Sequence, residues 1–129
     1  MTAEQIALYA FLALAAAWAV RRKLRARSVI RYDAAQLAER IGAADRPVLL
    51  DVRTDGERRG GSLPGSLHIP LHELSRRSEE LTKHRAREIV VFCATGSRSL
   101  TAAVRLRDRG FNAAHLEGGL SAWRLSQRS

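Results

Sequence analysis

Short apolar runs that alternate with helical patterns most narrow what this chain can fold into. Residues 48–51 read Val-Leu-Leu-Asp after Pro47, and 88–93 read Glu-Ile-Val-Val-Phe-Cys. A continuous apolar run of that length fits a strand buried on both faces, as in a parallel sheet. Residues 29–32, 66–69 and 113–116 are further strand candidates, and Pro70 ends the second of these. Between them lie helical patterns. Asp33 is a good N-cap for a helix over 34–41, and Gly42 a good stop. Residues 71–84 look helical. Residues 97–109 form a helix with Leu100, Ala103, Val104 and Leu106 on its apolar face, stopped by Gly110, and 120–126 a last short one after the turn at Gly118 and Gly119. Residues 54–65, rich in charge and glycine, read as a loop. Strands alternating with helices predict an α/β domain with a parallel sheet. The 129 residues suffice for one such domain.

Residues 6–20 precede that pattern and carry neither charge nor helix breaker. With 2–5 added, a helix there reaches about 28 Å, close to the hydrocarbon thickness of about 30 Å. Tyr9 and Trp18 suit the interfaces, and Arg21, Arg22 and Lys23 can snorkel to headgroups. Of the net charge of +9, residues 1–31 hold six bases (Arg21, Arg22, Lys23, Arg25, Arg27, Arg31) against Glu4, which leaves +4 for the other 98 residues. A basic run beside an apolar segment favours a membrane surface over nucleic acid, for which no fold-level motif is present. A signal peptide has its charge before the apolar core; here it follows. The expectation is an uncleaved single-pass anchor over 1–20, a basic juxtamembrane linker over 21–28 and a folded domain over 29–129. The positive-inside rule puts the N-terminus outside and the domain in the cytoplasm.

The chemistry is expected at Cys93. In parallel α/β sheets, sites lie beyond the carboxyl ends of strands. Cys93 ends the strongest strand, and Ala94, Thr95, Gly96, Ser97, Arg98 and Ser99 lead into a helix. A tight loop opening into a helix N-terminus aims backbone N–H groups inward, which stabilises an anion and lowers a thiol's pKa. Gly96 permits the turn and Arg98 adds positive charge. The thiolate is the nucleophilic form. As the one cysteine, it has no partner within the chain for a disulfide, which fits a reducing compartment. Ser97 and Ser99 are expected as helix caps.

These segments resemble the rhodanese family. The likeness is carried by Leu50-Asp51-Val52-Arg53, by Gly61-Ser62-Leu63-Pro64-Gly65 through Pro70, by Val90 through Ser99, and by Gly118-Gly119-Leu120-Ser121-Ala122-Trp123. It covers about residues 29–126 and implies a five-stranded parallel sheet with helices on both faces, preceded here by one transmembrane helix. It implies sulfur transfer through a persulfide on Cys93, with Cys93 to Arg98 as the six-residue active-site loop, Asp51 and Arg53 as support, and Gly118, Gly119 and Trp123 as a structural ending. The anchor resembles that of single-span bacterial rhodaneses, which implies the bacterial inner membrane. Implied partners are a small sulfur donor (thiosulfate-like or a persulfide), a thiol or cyanide-like acceptor, and membrane lipid. The sequence departs from the family in three places. Ala94 stands where a base is common, Ser62 where His is usual, and Arg58 where an aromatic is common.

Other chemistries find little support. Pro70 between His68 and His72 bars a regular helix, so they make no metal pair, and the four histidines read as structural. The phosphate-loop, dinucleotide and serine-elbow motifs are missing, so no cofactor or metal is expected. Four residues separate Cys93 from Arg98; a phosphatase loop has five there. The competing reading is a membrane-tethered, catalytically weak binding or regulatory module.

Overall fold

The computed structural model describes residues 1–128; Ser129, last in the expected domain, lies outside the described residues. Five parallel strands form one sheet, ordered β1-β5-β4-β2-β3: β1 Ile30–Tyr32, β2 Val48–Asp51, β3 Leu67–His68, β4 Ile89–Phe92 and β5 Ala113–Leu116. The apolar runs become the central strands, with every residue of β2, β4 and β5 buried. Alternation along β4 sends Ile89 and Val91, and Cys93 beyond them, to one face with Leu74, Leu81, Ala103 and Leu106. Val90 and Phe92 face the other way, onto Leu37, Leu63 and Leu120. Helices therefore cover both faces.

The helices are α1 Ala3–Ser28, α2 Ala34–Gly42, α3 Asp55–Arg59, α4 Leu74–Arg77, α5 Ser97–Asp108 and α6 Gly119–Ser126. Asp33 caps α2 through a reciprocal pair with Gln36. Several elements differ from expectation. Residues 21–28, expected as a linker, continue α1, because Arg, Lys, Leu and Ala are good helix formers and basic groups suit a helix C-terminus. Residues 54–65 contain α3, where Thr54 and Glu57 make a capping box. Residues 71–84 fold as 3-10 turns at Leu71–Glu73 and Ser78–His84 around α4. Spacings of three place Leu71 with Leu74 and Ser78 with Leu81 on one side, a geometry that suits 3-10 turns. On α5 the buried residues are Ser99, Ala102, Ala103 and Leu106; Leu100 and Val104 pack only partly, beside a groove shared with Trp18, Arg22 and Arg25 of α1.

Helix α1 stands apart from both cores. Over Ala3–Arg25 it is long and apolar enough to cross a membrane, and none of its apolar window is buried. Arg22 lies over the Trp18 ring, 5.6 Å from its centroid, and Arg25 meets Asp108 of α5 at 3.3 Å.

Candidate active site

Strand β4 delivers Cys93 to its carboxyl end, and the chain turns there because Gly96 takes φ 112°. A side chain at Gly96 would also press within 3.2 Å of the Gly118 amide nitrogen. The turn folds the loop back over the sulfur. The Gly96 N–H donates to Cys93 Sγ at 3.0 Å and the Ser99 N–H at 3.3 Å. The thiol donates to Ser99 Oγ at 3.5 Å. Cys93 has no solvent exposure, whereas Thr95 and Ser97 are exposed and Ala94 and Arg98 partly so. Burial pushes the Cys93 thiol up. The Ser99 hydroxyl and the amides of Ser99, Gly96 and Thr95 outweigh it, and the pKa lies below the ordinary cysteine value.

A second layer holds the loop from below. Gly118 and Gly119, at φ 77° and 62°, open α6 against it. Leu120 N–H donates to the Cys93 carbonyl at 2.8 Å and Ser121 N–H to the Ala94 carbonyl at 3.0 Å. A Cβ on Gly119 would lie 2.5 Å from the Ala94 carbonyl carbon and oxygen. The ending Gly118-Gly119 is thus the platform of the loop as well as the start of a helix.

Arg98 does not reach for the sulfur. Its guanidinium grips Glu57 of α3 in a two-pronged pair at 2.7 and 2.9 Å. That pair, with the Thr54 cap, holds the Glu57 carboxyl at about 2 and Arg98 above its ordinary value. Glu57 was missed because 54–65 read as loop; the Thr-x-x-Glu box at Thr54 was the available signal. Ser97 and Ser99 do not cap α5 either. Gly96 occupies the cap position, and Ser99 Oγ donates to the Gly96 carbonyl at 3.0 Å. Ser97 lends its carbonyl to Thr101 Oγ1 at 3.4 Å.

Asp51 and Arg53 lie in a neighbouring polar cluster. Asp51 is fully buried and accepts from Arg53 N, Nε and Nη2 at 2.9, 3.0 and 2.9 Å. Burial raises its pKa, but the Arg53 bonds outweigh it and keep the carboxyl below its ordinary value. Ser62 Oγ donates to Asp51 at 2.9 Å, and Arg58 reaches Asp51, Ser62 and Ser66. Two of the departures from the family pattern, Arg58 and Ser62, thus answer each other in one network. His68 Nε2 pairs with the Arg53 carbonyl at 2.8 Å. His115, read as merely structural, is buried against the site with Nδ1 3.1 Å from Ser99 Oγ. Alternation along β5 was the signal that would have aimed it at α5. Among the described residues no group of three His, Cys, Asp or Glu side chains comes together to hold a metal ion.

The resemblances agree with this geometry. Residues 33–126 match the family described as the Rhodanese-like domain. A protein of Allochromatium vinosum named sulfurtransferase is 33% identical over 96 residues, covering 74% of this chain and 88% of its own length. The crystal structure of a rhodanese-related protein from Thermoplasma volcanium superposes with a TM-score of 0.69 at 35% identity, over 75% of this chain and 92% of that one. The thiosulfate sulfurtransferase of Pseudomonas aeruginosa also gives 0.69, at 28% identity, over 78% of this chain and 20% of its own. With its parallel five-stranded sheet and the cysteine loop between β4 and α5, the chain belongs to the rhodanese-like family, and relatives named sulfurtransferase are among its matches.

Proposed function

We propose that this chain is a membrane-anchored sulfurtransferase that carries sulfane sulfur on Cys93. The observation that carries the reading is the pair of amides, from Gly96 and Ser99, aimed at the Cys93 sulfur. They favour the anion over the neutral thiol, and among the described residues no charged side chain hydrogen-bonds the sulfur. In the first step the Cys93 thiolate attacks the outer sulfur of a donor such as thiosulfate. A Cys93 S–S bond forms, the donor S–S bond breaks, and sulfite leaves with the electron pair. In the second step a thiolate or cyanide attacks the outer sulfur of the persulfide. It leaves as a new persulfide or thiocyanate, and the Cys93 thiolate is restored. Anions that enter and leave would pass the rim of the loop, where Thr95 and Ser97 are exposed and Arg98 partly so. Ala94 supplies no charge at the loop's second position, so thiol persulfides suit the loop better than the thiosulfate dianion. Asp51, Arg53 and Ser99 hold the surroundings in place.

The anchor reading rests on the unburied apolar helix and the bases that follow it. Residues 1–20 span the bacterial inner membrane, 21–28 carry the basic run at its cytoplasmic surface, and the domain from 29 onward works in the cytoplasm. Alkaline carbonate extraction should leave the protein with the membrane; a periplasmic signal from a C-terminal reporter would reverse the topology.

Mass spectrometry of the purified full chain, after a thiol persulfide or thiosulfate is offered, tests the chemistry. One added sulfur on Cys93, absent from Cys93→Ser and discharged by cyanide, is the expected result. A chain that stays unmodified with every donor would instead be a tethered regulatory module.

A further inference from the structure

Behind Cys93 lies a second polar layer that the sulfur-carrying steps do not use. Strand β5 aims His115 at α5, where its Nδ1 sits 3.1 Å from Ser99 Oγ. The same hydroxyl lies 3.0 Å from the Gly96 carbonyl and 3.5 Å from Cys93 Sγ. His115 is only 2% exposed, and among the described residues its Nε2 has no partner.

The hydrogen count limits the arrangement. Ser99 has one hydroxyl proton, and the Gly96 carbonyl can only accept. With the proton on that carbonyl, Ser99 Oγ accepts from its other neighbours, and the imidazole must carry its hydrogen on Nδ1. Nε2 is then a bare lone pair, less costly to bury unpaired than an N–H. When Cys93 becomes a thiolate or a persulfide, the Ser99 hydroxyl swings to donate to sulfur. His115 Nδ1–H still donates to Ser99 Oγ, and a hydroxyl that accepts one hydrogen bond donates a stronger one.

The geometry points to His115 as a positioning residue that, through Ser99, strengthens the hydrogen bond on the Cys93 thiolate. The assignment deepens the proposed chemistry and rests on Cys93 working as a thiolate. Burial lowers the His115 pKa, with Arg31 assisting and Glu117 opposing, which favours the neutral ring. The charged groups about the sulfur and the ring are Arg98, with Glu57 and Asp51 beside it, and Arg31 and Glu117. Arg31 and Glu117 influence the ring rather than the thiol, and removing His115 leaves the Arg98–Glu57 pair in place.

Two measurements on the full chain in detergent, neither using a sulfur donor, decide the assignment. The first reads the His115 tautomer of the wild type by nitrogen-15 NMR. A hydrogen on Nδ1 is expected, and one on Nε2 overturns the assignment whatever the variants do. The second follows the pH dependence of Cys93 alkylation. His115→Leu should raise the Cys93 pKa by about half to one unit, slowing alkylation at pH values below the wild-type pKa roughly three- to ten-fold. His115→Asn, whose amide N–H can stand in for Nδ1–H, should recover most of that. In Ser99→Ala the further change to Leu should add nothing. An unchanged pKa in His115→Leu, or full additivity with Ser99→Ala, overturns the assignment. If the leucine variant does not fold, the tautomer and the asparagine variant decide. Because sulfur loading is read separately, a failed sulfurtransferase reading and a failed His115 role give different results.

Discussion

The two polar regions at the carboxyl edge of the sheet are built from opposite materials. Around Cys93 the donors are mostly backbone amides placed by a glycine turn. Around Asp51 they are mostly side chains, Arg53, Arg58 and Ser62, converging on one buried carboxylate. A backbone cup tolerates changes in the side chains along it, as Ala94 illustrates, but depends on where the chain can bend. A side-chain cluster depends instead on its central charge, here the Asp51 carboxylate that Arg53, Arg58 and Ser62 share.

The sharpest break between the regions should come from Asp51→Ala. It leaves the buried Arg53 guanidinium without its counter-charge, which costs about 3–5 kcal/mol. Chemical unfolding should show that loss, while Cys93 in the surviving folded protein keeps its alkylation profile. A loss below about 1 kcal/mol would mean that water or another partner takes over for Asp51. Gly119→Ala attacks the other region. Its methyl cannot share space with the Ala94 carbonyl, and φ 62° strains any side chain. A loss of about 1–3 kcal/mol should be accompanied by a higher Cys93 pKa, because the loop must lift away from α6. An undisturbed thiol in that variant would show that α6 does not hold the cup.

Arg98→Ala should do less. Its charge is shared with Glu57, so the Cys93 pKa should rise by less than about one unit, with anionic donors weakened more than the thiol. A rise beyond about two units would place the activation in the side chain rather than the backbone. The smallest effect belongs to the pair itself. Glu57 sits at about 2, below its unfolded value. Its contribution is therefore present in full above the ordinary carboxylate range and fades as pH falls toward 2. The pair is partly exposed, so the contribution is at most about 1 kcal/mol. Glu57→Gln should flatten the acid limb of the stability profile between about pH 4 and 2; an unchanged limb would mean that the pair contributes nothing.

Local rules carried far in some places and failed in others. Asp33 announced α2 because capping is a three-residue affair. The central strands were legible because a run buried on both faces has no polar position to confuse it. Charge and glycine in 54–65 masked α3 even though its capping box was written out, and the serines after Gly96 imitated caps. Their surroundings decided otherwise: Gly96 had to turn over the sulfur, and Ser99 had partners in Cys93 and His115 that lie 6 and 16 residues away.

The amino-acid order by itself determined the alternation of strands and helices, the apolar helix with its basic end, and a cysteine placed where a strand meets a helix. Each depends on periodicity or on neighbours within a turn. Only the tertiary structure decided that Arg98 spends its charge on Glu57, that Gly119 supports the loop, that Arg58 and Ser62 share Asp51, and that His115 stands behind Ser99. Apart from the Asp51 cluster, whose members lie within 11 residues of one another, these are contacts between segments 16 or more residues apart. Their partners are chosen by how β5, α3 and α6 pack around one strand end, and no local pattern encodes that distance.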